Sequence, residues 1–118
     1  MTTSEIATVL AWHDALNADD IDTLVELSSD DIEIADADGA TQGLNALREW
    51  AADFDDTVTV GRMYVHDGVV VFEQTLDDGT TQASAFRVVH DHVTSVFRHD
   101  DLASALAATD LTEEDLDA

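Results

Sequence analysis

Thr57-Val58-Thr59-Val60-Gly61-Arg62-Met63-Tyr64-Val65-His66-Asp67-Gly68-Val69-Val70-Val71-Phe72-Glu73-Gln74-Thr75-Leu76 reads as two strands around a tight turn. β-Branched and aromatic residues fill both arms, as a pleated, half-buried surface requires. Asp67-Gly68 supplies the positive φ angles of a two-residue hairpin turn. The same punctuation recurs at Asp77-Asp78-Gly79, before a long strand from Thr80 to His90. A turn near Asp91 then leads to a last strand, Val93 to His99. The spacing therefore predicts a four-stranded antiparallel meander. In the strand around Phe86, alternation puts Ser84, Phe86 and Val88 on one face and Ala83, Ala85 and Arg87 on the other.

Upstream of the meander the period changes from two to that of a helix. Ser4 to Leu16 forms a first helix, with Thr2 and Glu5 spaced as a capping box. Its Ile6, Val9, Leu10, His13 and Leu16 lie along one face, with Trp12 at the edge. His13 therefore points inward, as a core-edge histidine or as a ligand-binding one. Asn17-Ala18-Asp19-Asp20 ends this helix and caps a short second one carrying Ile21, Leu24, Val25 and Leu27. A strand with Ile32 and Ile34 follows, then a loop from Asp36 to Gly43. A third helix spans Leu44 to Phe54, with Leu44, Leu47, Trp50, Ala51 and Phe54 in one apolar stripe.

Asp36 follows Ile32 and Ile34 at period-two spacing, so a carboxylate shares the apolar face of that strand. Burial is costly for a carboxylate unless it is hydrogen-bonded, paired or protonated. Asp36 is thus either a structural anchor, with Arg48 or Arg62 as its partner, or a working acid/base. Past the meander, Leu102 to Ala108 forms a short helix. Residues 109–118 form an acidic tail whose spaced leucines could dock on the body or on a neighbour, with a solvated end expected. Residues 1–108 are predicted as one domain, for want of any repeat, linker or proline.

Twenty-seven acidic residues stand against four arginines and no lysine, a net charge of −23. They are spread along the chain, which implies a solvated acidic shell on a folded body. Such a shell suits concentrated salt, which screens the repulsion, and it is the composition of proteins from halophilic microbes such as halophilic archaea. Nucleic acid and anionic membranes need a basic patch, so neither is expected as a partner. No cysteine is present, which excludes disulfides and thiolate chemistry. Asp36-x-Asp38 and His90-x-His92 are weak metal-like spacings, and no metal or other cofactor is expected. The start of the chain lacks a signal-like run and no stretch is long enough to span a bilayer, so a soluble cytoplasmic protein is expected.

Three local motifs carry a family resemblance. Trp12-His13-Asp14-Ala15-Leu16-Asn17-Ala18-Asp19-Asp20-Ile21-Asp22, Leu27-Ser28-Ser29-Asp30-Asp31-Ile32-Glu33-Ile34 and Gly43-Leu44-Asn45-Ala46-Leu47-Arg48-Glu49-Trp50 resemble the helix-turn-helix, the strand entry and the glycine-then-helix segments of the nuclear transport factor 2 (NTF2)-like superfamily. Its members include SnoaL-like polyketide cyclases and ketosteroid isomerases. The resemblance implies an α+β cone, with three N-terminal helices packed on a curved antiparallel sheet, and it favours a homodimer. Ketosteroid isomerase sets an Asp base against an oxyanion hole of a Tyr and a protonated Asp. By resemblance Asp36 falls at the base, Trp12 at the tyrosine and Ser84 near the protonated aspartate. An indole N–H and a hydroxyl still donate, but more weakly, which argues against that isomerase's own reaction. The superfamily's epoxide hydrolases use an Asp-Arg-Asp arrangement, which Asp36, Arg62 and a further Asp would have to supply.

Two functions follow. In the first, a small apolar organic molecule enters the cone and Asp36 acts as general base beside a carbonyl. Trp12, Ser84, or Tyr64 if it faces inward, would steady the enolate. His13, Trp50, Phe54 and Phe86 complete the ligand-binding set. In the second, the protein is a non-catalytic ligand-binding or dimeric assembly module.

Overall fold

The computed structural model describes residues 2–36, 39–52, 59–76 and 78–116, and only the backbone of residues 2–4, 36 and 113. The elements run α1 (Thr2–Asn17), α2 (Ile21–Glu26), β1 (Ser28–Asp36), β2 (Gly39–Gln42), α3 (Leu44–Ala52), β3 (Thr59–His66), β4 (Val69–Thr75), β5 (Thr81–Val89), β6 (His92–His99) and α4 (Leu102–Thr109), with a single 3-10 turn at Glu113–Asp115. The fold is the α+β cone that the order of elements implies.

The six strands form one sheet in the order β2-β1-β6-β5-β4-β3. The meander β3 to β6 is antiparallel throughout, as its turns predict. At its first turn Asp67 and Gly68 both take positive φ, 49° and 79°. A Cβ on Gly68 would come 2.9 Å from the Val88 carbonyl oxygen, so the turn lies flat against β5 and excludes a side chain there. The stretch from Asp36 to Gly43 is not all loop. Gly39–Gln42 folds back antiparallel on β1, where it satisfies an edge that would otherwise be bare. β1 then pairs in parallel with β6, setting Ile34 against Val96 and Ala35 against Phe97.

Two apolar layers sandwich the sheet. On the inner face, α1, α2 and α3 cover Ile32, Ile34, Val70, Phe72, Phe86, Val88, Val93 and Val96 with Val9, Trp12, Leu16, Leu24 and Leu47. α1 buries a face centred on Val9, Trp12, His13 and Leu16, the i, i+3, i+4, i+7 set. Trp12 is therefore at its centre and not at its edge, and Leu10, expected inside, is 38% exposed. Asp20 caps α2 by accepting from the Thr23 N–H at 3.3 Å, and Asp101 caps α4 by accepting from Ser104 N–H at 2.7 Å.

On the outer face, α4 packs Leu102, Ala105 and Leu106 against Tyr64, Val71, Ala83 and Ala85. The acidic tail joins this layer where the sequence suggested a solvated end. Leu111 is 6% exposed, its N–H donates to the Leu106 carbonyl at 3.1 Å, and Leu116 bridges to Tyr64. Buried Leu111 and half-buried Leu116 hold the tail there, while Asp110 and Glu114 stay at the surface. His66 lies 3.6 Å from the Asp115 carboxylate, where the tail crosses β3.

Candidate functional site

The inner face of the sheet brings most of the sequence-predicted site residues together. Phe72 stacks on Phe86 at 5.2 Å between ring centroids, and His13 stands edge-on to both, at 4.8 and 5.5 Å. Trp12 stands edge-on to Phe86 at 5.2 Å and stacks on Trp50 at 5.9 Å. The Arg98 guanidinium sits over Trp50, 5.2 Å from the ring centroid. That geometry favours the cation by the ring's negative face.

His13 is 2% exposed. Burial, reinforced by the positive charge of Arg98, pushes its pKa down from 6.5 to about 3. At neutral pH it is an uncharged imidazole, and its Nδ1 has no hydrogen-bond partner among the described residues. It can accept or donate one hydrogen bond but does not act as a cation.

Three expected roles change. The Trp12 indole N–H donates to Ser28 Oγ at 2.9 Å, and Ser28 Oγ donates onward to the Leu24 carbonyl at 2.7 Å. This chain ties α1 to the end of α2, so Trp12 is a wall and not a polarising donor. The Ser84 hydroxyl donates to Gln74 Oε1 at 2.8 Å, which engages the donor that the oxyanion role required. Tyr64 is fully buried but on the outer face, paired with Val71 beneath α4, where it cannot meet a ligand of the inner face. The parity of β3 sends Met63 and Val65 inward, and Tyr64 therefore outward.

Asp36 is the last residue of β1, paired with Gly39. Its side chain, and all of Phe54, lie outside the described residues. The arginines proposed to pair with Asp36 are elsewhere: Arg48 is exposed on α3, and Arg62 is exposed on β3, four strands away from β1. Arg98 is the nearer one. The parallel register, extended by one residue from Ala35 and Phe97, sets the backbone of Asp36 beside Arg98.

Residues that sequence reasoning missed complete the layer. Gln74 is fully buried beside the expected Ser84, which is 1% exposed. Gln74 Nε2 and Gln82 Oε1 have no hydrogen-bond partner among the described residues. Phe72 and Gln74, Gln82 and Ser84, and Val96 and Arg98 are each two apart on a strand. Counting parity outward from the apolar residues would have marked all of them as inward-facing. His90 lies in the β5–β6 turn and His92 opens β6, with His92 Nδ1 2.8 Å from the His90 carbonyl oxygen. Among the described residues no three His, Asp or Glu side chains converge as a metal site would require.

A model of the SnoaL-like domain matches residues 9–103. The chain belongs to the SnoaL-like domain family. No curated protein matches this SnoaL-like chain in sequence. Among solved structures, an LEH-like epoxide hydrolase from M. tuberculosis superposes with a TM-score of 0.73 at 20% identity, over 91% of this chain and 92% of that one. A candidate ketosteroid isomerase from Kribbella flavida gives 0.71 at 18% identity, over 82% and 77%. A candidate polyketide cyclase from Sinorhizobium meliloti gives 0.69 at 17%, over 79% and 94%. At these identities the likeness carries the fold, and the chemistry has to come from the inner face itself. No helix of this SnoaL-like domain, among the described residues, is long and apolar enough to cross a membrane.

Proposed function

We propose that this SnoaL-like domain binds a small, largely apolar organic molecule against the inner face of its sheet, and that Asp36 removes a proton next to a carbonyl group of that molecule. The observation that carries the reading is the position of Asp36. It ends the strand whose Ile32 and Ile34 are 0% and 5% exposed, two residues beyond Ile34. Proton abstraction from carbon requires a basic carboxylate, and the period-two place of Asp36 after two buried isoleucines is what supports one. The epoxide hydrolase, isomerase and cyclase names of its structural relatives support a small organic substrate. No cofactor enters this chemistry.

Acetophenone in D₂O tests it, because abstraction of a proton beside the carbonyl leads to deuterium incorporation that NMR reads directly. The wild-type protein should accelerate exchange. Asp36→Asn should abolish the acceleration while leaving the melting temperature unchanged or higher. A clearly lower melting temperature together with no exchange in the wild type makes Asp36 an anchor and ends the enzymatic reading.

The outer face favours a second reading, an assembly module. Phe97 is 37% exposed there, at the meeting of two open grooves of about 480 and 360 Å³. Arg87 of the second groove and Glu33 of the first offer opposite charges to a second copy across a two-fold axis. A homodimer built this way should fall to monomer with Phe97→Glu, as sedimentation would report. The acidic composition further supports a cytoplasmic protein of a halophile, whose stability rises with potassium chloride concentration.

A further inference from the structure

The inner face buries a hydrogen-bond donor and an acceptor side by side. Gln74 and Gln82 are direct partners across β4 and β5, a pairing that holds Cβ atoms about 5 Å apart. Their side chains share the face of Phe72 and Ser84. The Ser84 hydroxyl donates to Gln74 Oε1, which assigns the amide and leaves Nε2 as the unpaired donor. Gln74 Nε2 is a buried donor without a partner, and Gln82 Oε1 is a buried acceptor without one, among the described residues. Each such group costs stability when unsatisfied. Methionine would fill either place without that penalty, so the pair lowers the stability of the free protein. Stability given up at a site is the mark of recognition.

The geometry points to an uncharged carboxamide or lactam as the head group of the ligand, its C=O accepting from Gln74 Nε2 and its N–H donating to Gln82 Oε1. A carboxylate would meet Gln82 Oε1 with a second acceptor, and an ammonium group would meet Gln74 Nε2 with a second donor. A ketone satisfies Gln74 alone. The apolar remainder of the ligand then lies toward Phe72 and Phe86. This assignment rests on the inner-face binding site of the proposed function and adds to it what the site selects.

Titration calorimetry with five phenyl compounds tests it: benzamide, acetophenone, benzyl alcohol, benzoate and ethylbenzene. Benzamide should bind about tenfold more tightly than acetophenone or benzyl alcohol, and benzoate should not bind. Gln82→Met should erase the preference for benzamide over acetophenone, leave ethylbenzene binding unchanged and raise the melting temperature. Gln74→Met should weaken benzamide and acetophenone alike. Equal binding of benzamide, acetophenone and ethylbenzene overturns the amide assignment while the inner-face site stands, the two glutamines then being served by water. Failure of every phenyl compound to bind overturns the site as well. Tighter binding of benzyl alcohol than benzamide also overturns the assignment, because a single bridging oxygen would then be the preferred occupant.

Discussion

On its outer face the sheet buries the Tyr64 hydroxyl among alanines, valines and leucines beneath α4 and the tail, and His99 Nε2 three strands away, each without a partner among the described residues. On its inner face it buries several together, His13 Nδ1, Gln74 Nε2 and Gln82 Oε1, beside a serine–glutamine hydrogen bond and a ring of aromatics. A solitary hydroxyl with no complementary neighbour is the by-product of using a large ring to fill space. A donor and an acceptor on paired residues form a pattern that a ligand can match. What separates packing from recognition here is the company that the buried polar groups keep, not their number.

The contrast can be broken most forcefully at His13. In the unfolded chain this imidazole takes up a proton near pH 6.5, whereas in the folded protein it stays neutral down to about 3. Between these values the unfolded chain binds more protons, so stability is full above pH 6.5 and is lost as the pH falls. Relative to His13→Gln, the wild type should lose on the order of 3 kcal/mol between pH 6.5 and 4, measured by urea unfolding. Equal slopes for the two proteins would mean that His13 is not desolvated. The outer layer answers to a different change. Leu111→Ala should cost about 2 kcal/mol by opening the seam between tail and sheet, with no effect on phenyl-compound binding. A binding change there would show that the two faces are coupled. The smallest effect is expected at Tyr64→Phe, which should leave unfolding free energy within about 1 kcal/mol of the wild type, on the stabilising side. A loss of several kcal/mol would show that the hydroxyl has a partner.

The meander was legible because each of its turns carries local chemistry, such as Asp67-Gly68, and because Ser84, Phe86 and Val88 alternate cleanly with Ala83, Ala85 and Arg87. The cone followed from the order of elements. The floor of the site was not legible, for a related reason. Gln74 and Gln82 look like solvent-facing residues until parity is counted from Phe72 and Phe86, and a lone polar residue in a strand gives no reason to count. β2 escaped notice because Gly39-Ala40-Thr41-Gln42 is exposed throughout and has no apolar alternation. The pairing of β1 with β6 leaves no local trace at all, since it joins residues about sixty positions apart. That pairing also made Arg98 the arginine nearest to Asp36, where Arg48 and Arg62 were expected. The tail was misread from its charge, although Leu111 and Leu116 are spaced to reach one surface.

The β1–β6 pairing also sets an order of events for the newborn chain. β1 leaves the ribosome before any of the meander, yet its neighbour β6 is the last strand to be made. Until then Ile32 and Ile34 have only the short β2 ribbon and the helices for shelter, and two-stranded ribbons are marginal on their own. Closure of the cone therefore waits for nearly the whole polypeptide, and the aromatic layer assembles in one late, long-range step of the slow kind that high sequence separation imposes.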